Sequence, residues 1–163
     1  MRRFACLAAM LFVGVLAFGA STASAETIRW FSGASNGCQD GTATVAPGPT
    51  QVTFGWGTYA QRYTQDFLNV QYITYSVNGG APVVTGVGDR TGWVGKPGKD
   101  PNGVKLYVAA WTSPTLATLA SGESITVTFS LKTTETVYDN ATTPYPAGME
   151  LLGAYTTCTI TAA

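Results

Sequence analysis

The sequence predicts an all-β protein, a single antiparallel β-sandwich of seven to nine short strands. The first observation is a turn followed by strict alternation, in which Ile125, Val127, Phe129 and Leu131 alternate with serine and threonine. Side chains on a strand switch face at every residue, so this strand is apolar toward a core and polar toward water. Similar short stretches recur between glycine, proline and asparagine turn signals, and no amphipathic helical stripe is evident.

The first half of the chain supplies strands at residues 27–31, 42–45 and 51–57, with Pro-Gly-Pro at 47–49 marking a loop or a sheet edge. Residues 61–65 show no helical stripe and are expected to form a connection or a single turn. The apolar residues change parity within 66–80, which favours a β-bulge in one strand. Asn78 and Gly79 predict a tight hairpin turn that leads into residues 81–85.

The second half begins with residues 86–104, whose glycines and prolines predict a long loop or a poorly paired hairpin. A strand is expected at 105–111, then a connection with a helical turn at 116–119. The alternating strand is expected to run on through residue 138, and residues 155–161 close the sheet.

The N-terminus has the parts of a secretory signal peptide. Two arginines precede a short apolar run, and small residues at Ala23 and Ala25 predict cleavage after Ala25. The apolar run is shorter than the ~20 residues that span a bilayer. We expect one domain at residues 26–163 that is secreted, periplasmic or on the cell surface, with no transmembrane segment after processing.

Charge and cysteine content restrict the partners. Removing Arg2 and Arg3 from nine basic residues leaves seven against nine acidic ones, which argues against a nucleic acid or an anionic membrane as partner. Cys38 and Cys158 are the two cysteines of the processed chain. In an oxidising compartment such a pair is expected to form a disulfide bond.

Two stretches resemble a known class of domain. Residues 119–129 are similar to the leucine, turn, glycine and alternating strand of secreted bacterial immunoglobulin-like and fibronectin-III-like domains, and residues 75–83 are similar to a hairpin of such domains. The resemblance implies a sandwich used for adhesion, spacing or ligand binding. It transfers no catalytic residue.

Catalytic chemistry has few candidates, because the chain has no histidine. Histidine is the commonest general base and metal ligand, and no cofactor is predicted. Glu135 and Asp139 could form a carboxylate pair for glycoside hydrolysis, which needs two carboxyl groups roughly 5–10 Å apart. Asp139 in a turn and Glu135 in solvent is the simpler interpretation, so we expect no enzymatic activity.

Calcium binding is a weaker possibility in the irregular segment. Asp89, Asp100 and Asn102 supply oxygen atoms of the kind that calcium prefers. The Asp-Pro-Asn-Gly sequence at 100–103 also matches an ordinary type I turn, which we favour.

Aromatic residues are the main candidates for ligand binding. Trp93 lies in a glycine-rich segment, and Trp56, Tyr59 and Tyr63 follow one another near a strand end. Exposed rings stack on sugars or anchor protein partners. We therefore expect a non-catalytic domain that binds a glycan or a protein at the cell surface. A small secreted hydrolase and a subunit of an extracellular assembly, joined through a free strand edge, are the alternatives.

Overall fold

The computed structural model describes residues 24–30, 37–38, 40–153 and 156–163. The basic and apolar parts of the predicted signal peptide lie outside these residues, so its cleavage stays a prediction. The elements of the described part follow in chain order: β1 (Glu26–Trp30), β2 (Gly37–Cys38), β3 (Thr42–Val45), β4 (Gly48–Thr58), α1 (Gln61–Val70), β5 (Gln71–Val77), β6 (Val83–Val84), β7 (Trp93–Lys99), β8 (Lys105–Thr112), β9 (Ala117–Leu119), β10 (Ser124–Thr133), β11 (Val137–Tyr138), β12 (Pro144–Tyr145) and β13 (Thr157–Ala162).

The strands form two main sheets, as predicted for a β-sandwich. Sheet A has the order β2-β1-β4-β8-β7, with β9 also paired to β4, and sheet B has the order β3-β13-β10-β5-β6. A small third sheet joins β11 and β12. Most pairings are antiparallel, but β1 pairs in parallel with β2 and β4, and β3 pairs in parallel with β13.

Strand β10 is the central strand of sheet B, between β13 and β5. Its predicted alternation is confirmed, because Ile125, Val127, Phe129 and Leu131 are all buried. Its outward hydroxyl groups meet those of β13 in three cross-strand pairs, at oxygen separations of 2.8 to 3.4 Å. The strand is shorter than predicted. It ends at Thr133, and Val137–Tyr138 forms the separate strand β11.

Aromatic packing holds the two sheets face to face. The Phe129 ring lies 5.4 Å from Trp30, 5.9 Å from Phe54 and 5.8 Å from Trp111, measured between ring centroids. These three partners belong to sheet A, whereas Phe129 belongs to sheet B. Edge-to-face pairs of this kind add to the stabilisation from buried area, so Phe129 lies at the centre of the core.

The disulfide bond predicted between Cys38 and Cys158 is present, with 6.1 Å between the Cα atoms. Cys38 lies in β2 at one edge of sheet A, and Cys158 lies within β13 of sheet B. The bond therefore connects the two sheets covalently.

Helix α1 overturns two predictions. Residues 61–70 form one helix in place of a connection, and the change of apolar parity after Val70 marks the start of β5 rather than a β-bulge. The helical pattern in the sequence is weak, because Phe67 is the one fully buried side chain of this helix. Leu68 and Val70 also pack against the core, so the helix is stabilised by tertiary packing of its apolar residues. Neither this nor any other described segment forms a helix long and apolar enough to cross a membrane.

The irregular segment is more regular than predicted. Residues 93–99 pair with residues 105–111 over seven positions, so the part of the predicted loop or poorly paired hairpin from residue 93 onward is a well-paired hairpin. The predicted turn at 100–103 is present, and the Gly103 amide donates to the Asp100 carbonyl at 3.0 Å. Gly55 and Gly57 of β4 leave room for Val108 and Leu106 of β8 to lie across them, which explains the glycines opposite the apolar face.

Two short elements predicted from local sequence, a tight turn and a helical turn, have different outcomes. The Asn78-Gly79 turn is confirmed, since both residues have positive φ angles, 52° and 69°, and the Gly80 amide donates to the Val77 carbonyl. The helical turn expected at 116–119 is wrong. Residues Ala117–Leu119 form β9, which is extended because it pairs with the first residues of β4.

Candidate functional site

The two candidate tryptophans point into the protein. Trp93 starts strand β7 instead of lying in a loop, and its half-buried ring packs against Phe67 at 5.3 Å and Phe54 at 6.3 Å. Trp56 is 9% exposed and stacks on Phe67. The indole nitrogens of both are buried without a hydrogen-bond partner in the described part of the chain. Their predicted ligand contacts stay predictions, and their rings contribute to the core.

Of the two candidate tyrosines, Tyr59 is exposed and Tyr63 is half-buried. Tyr59 is 47% exposed and follows β4, and Tyr63 lies on the first turns of α1. The fold brings Tyr138 to them, because its ring lies 6.3 Å from that of Tyr63 and the Tyr59 amide donates to the carbonyl of Asp139. We refer to Tyr59, Tyr63 and Tyr138 as the tyrosine face.

Neighbouring polar groups hold these tyrosines in place. The Tyr59 hydroxyl donates to Asp100 Oδ2 at 3.2 Å, and this hydrogen bond, with the negative charge of Asp100, raises the pKa of Tyr59. The Arg62 guanidinium lies 4.6 Å from the centroid of the Tyr63 ring and donates to its hydroxyl group. A cation over a ring face is favourable, so Arg62 stabilises the position of Tyr63, and Asp100 gives the Tyr59 hydroxyl a hydrogen-bond partner.

Of the three calcium candidates, Asp100 and Asn102 share one turn and Asp89 lies apart from them. Asp89 precedes β7 and Asp100 follows it, so the length of that strand, roughly 20 Å, lies between them. Asp89 Oδ1 accepts a hydrogen bond from the Thr91 amide, and this bond lowers the pKa of Asp89. Asp100 Oδ1 accepts from the amides of Asn102 and Val104. These carboxylates therefore stabilise turns, and no cluster of three metal-binding side chains occurs among the described residues.

The candidate carboxylate pair also has local roles. Asp139 Oδ2 accepts a hydrogen bond from the Tyr145 hydroxyl at 3.0 Å. The pKa of Tyr145 is raised, first by burial and then by this hydrogen bond. Glu135 is exposed in the bend before β11.

A groove of about 420 Å³ runs between α1 and the β7–β8 hairpin. Its walls include Gln61, Thr64 and Gln65 from the helix and Lys96, Lys105 and Tyr107 from the hairpin. The helix and hairpin are held together where the Thr64 hydroxyl donates to the Tyr107 carbonyl at 3.1 Å. A shallower depression around Pro97, Gly98, Lys99 and Lys105 continues it, since the two share Pro97 and Lys105. We call this combined surface the hairpin groove.

Sequence reasoning did not identify Tyr138 or the hairpin lysines. Tyr138 is remote in sequence from Tyr63, and nothing local indicates their contact. The sequence does contain a signal for the lysine pair. If residues 100–104 are taken as the turn of a hairpin, Lys99 lies opposite Lys105.

Comparison with known proteins finds no matching family model, no matching curated protein and no matching solved structure. The functional argument therefore rests on the residues of this chain.

Proposed function

We propose that this chain is a secreted or cell-surface, non-catalytic domain of immunoglobulin-like type that binds a glycan through the tyrosine face. The observation that carries the proposal is the grouping of three tyrosines on one surface. Tyr59 and Tyr138 are 47% and 38% exposed, so much of each ring faces solvent. Aromatic rings offer a large apolar area that stacks on the faces of sugar rings.

The arrangement suits binding because the rings are already ordered. Asp100 holds the Tyr59 hydroxyl and Arg62 covers Tyr63. A preorganised ring loses little conformational entropy when a ligand binds, so more of the contact energy appears as affinity. The adjacent amide, guanidinium and hydroxyl groups provide hydrogen-bond donors and acceptors for sugar hydroxyls.

An extracellular location is supported by the disulfide bond between Cys38 and Cys158, since such bonds persist in oxidising compartments. The N-terminal pattern of charge and hydrophobicity supports export. A non-catalytic role is supported by the local structural contacts of Asp89, Asp100 and Asp139.

A glycan-array screen of the processed protein tests this proposal, followed by titration of each bound glycan. Replacing Tyr59, Tyr63 and Tyr138 together by alanine is expected to weaken binding about ten-fold or more. The matched control is Tyr72→Ala, a half-buried tyrosine of β5 in sheet B. Unchanged binding by the triple variant, or an array without any bound glycan, would contradict the proposal. Thermal melting of all variants separates lost contacts from lost folding.

One observation favours the assembly-subunit alternative. Strand β6 is an outer strand of sheet B, and its residues Val83 and Val84 are 49% and 60% exposed. An apolar strand edge can pair with another chain. Size-exclusion chromatography with light scattering distinguishes a concentration-dependent assembly from a monomer.

A further inference from the structure

The hairpin groove is lined by lysines that form no ion pair with the described part of the chain. Lys99 and Lys105 occupy directly opposite positions on β7 and β8, so both side chains lie on the same face. Like charges at such positions destabilise a strand pair. Neither lysine has an ion pair or a side-chain hydrogen bond with any described residue. Asp100, the carboxylate nearest to them in sequence, accepts hydrogen bonds from its turn amides and from Tyr59 and forms no ion pair with either lysine.

The wall opposite the hairpin is uncharged and consists of three polar residues and one leucine. Gln61, Thr64, Gln65 and Leu68 follow the i, i+3, i+4, i+7 spacing that places residues on one side of a helix, and all four line the groove. None of the described residues that line the groove is acidic. The groove thus has a largely apolar lining, with amide and hydroxyl groups on the helix side and lysine ammonium groups on the hairpin.

The hairpin wall also offers an aromatic surface. Tyr107 is 39% exposed and lies in β8 opposite Pro97. An exposed ring, side-chain amides and paired ammonium groups together match a chain of sugar rings that bears negative charges. The ring suits a sugar face, the amides suit its hydroxyl groups, and the lysines suit carboxylate or sulfate groups.

We infer that the hairpin groove binds an acidic oligosaccharide, with Lys99 and Lys105 holding its anionic groups. This inference rests on the proposed glycan-binding function and names the class of sugar. Tyr59 connects the two surfaces, because it belongs to the tyrosine face and its hydroxyl group contacts Asp100 in the hairpin turn.

The charge of the rest of the chain disfavours other polyanions. Seven basic and nine acidic residues follow Ala25, and three of the seven basic ones are Lys96, Lys99 and Lys105 of this hairpin. Nucleic acids and anionic membranes are bound by extended basic surfaces, because many charges must be neutralised together. A short acidic glycan needs only a local pair of positive charges.

Calorimetric titration tests the inference with four probes: a hexameric oligogalacturonate, a sulfated heparin hexasaccharide, neutral maltohexaose and a single-stranded DNA of twelve nucleotides. We expect one of the acidic hexasaccharides to bind about ten-fold or more tightly than maltohexaose, and to lose affinity as salt rises. The carboxylated and sulfated probes show which anionic group is preferred. DNA bound as tightly as either acidic sugar would overturn the inference.

The charge-neutral variant K99Q/K105Q is expected to reduce binding of the acidic sugar about ten-fold and to weaken its salt dependence. The matched control is Lys132→Gln, in β10 of sheet B and outside the groove. Equal binding by wild type and K99Q/K105Q would overturn the inference. If neutral glycans still bind through the tyrosine face in that case, the proposed function stands without it. If no glycan binds at all, both fail.

Discussion

Loss of the disulfide bond is expected to lower the free energy of unfolding by about 5 kcal/mol. Cys38 and Cys158 are 120 residues apart, so the bond closes most of the domain into one loop. The chain-entropy relation gives a loss of about 16 cal/mol/K for a loop of this size, which is about 5 kcal/mol at 25 °C. Both cysteines are buried, so their replacement by alanine removes some packing in addition.

The assay is urea unfolding followed by tryptophan fluorescence. It compares the oxidised protein, the reduced protein and a Cys38→Ala/Cys158→Ala variant, with intact mass confirming the redox state of each. With a slope of about 2 kcal/mol/M, the midpoint should fall by roughly 2–3 M urea. The alanine variant controls for reductant, because adding reductant should not change its midpoint.

The reduced protein separates the effect of the bond from the effect of the side chains, since it keeps both sulfur atoms. A loss below about 2 kcal/mol on reduction, with an unchanged slope, would refute the entropic argument. It would mean that the reduced, unfolded chain already keeps the two ends close together.

Two further predictions concern polar contacts. Glu150 accepts hydrogen bonds from the Leu131 amide at 3.0 Å and from two other groups, so Glu150→Ala should cost about 2 kcal/mol in urea unfolding, whereas the exposed Glu135→Ala should cost under about 0.5 kcal/mol. Equal effects would contradict this role for Glu150. The raised pKa of Tyr145 contributes stability that is fully present below about pH 10 and is lost as pH rises through the folded-state pKa, because the unfolded tyrosine loses its proton first. Tyr145→Phe should therefore show a smaller fall in unfolding free energy above pH 10, and an identical fall would exclude this linkage.

Much of the fold follows from local sequence where a single pattern dominates. The alternation around Phe129 predicts a strand with one buried face, and the Asn78-Gly79 pair predicts the turn that the structure contains. The disulfide partners follow from the number of cysteines. In each of these cases a rule based on local sequence or composition is sufficient to predict the feature.

The remaining elements depend on contacts that the local sequence does not contain. Residues 61–65 are polar, and the helix forms around Phe67, whose partners Trp56 and Trp93 are distant in sequence. Strand β7 is rich in glycine, lysine and proline, which have low strand propensity, yet it is extended because β8 pairs with it.

The candidate site was also predictable only where it depends on local sequence. Tyr59 is exposed directly after the end of a strand, and Tyr63 is half-buried on the helix that follows. Tyr138 joins them through the fold, and the opposition of Lys99 and Lys105 requires a hairpin that the composition of β7 does not favour.

The parallel pairing of β3 with β13 imposes an order on folding. Thr42 pairs with Thr159 and Val45 with Ala162, so β3 has no partner in sheet B until the chain has been made through β13. Until then the β13-facing edge of β10 also lacks its neighbour. Sheet B can therefore close only after synthesis of this region is complete, and a chain interrupted before Thr157 leaves an open edge next to a core strand, which is a typical starting point for aggregation.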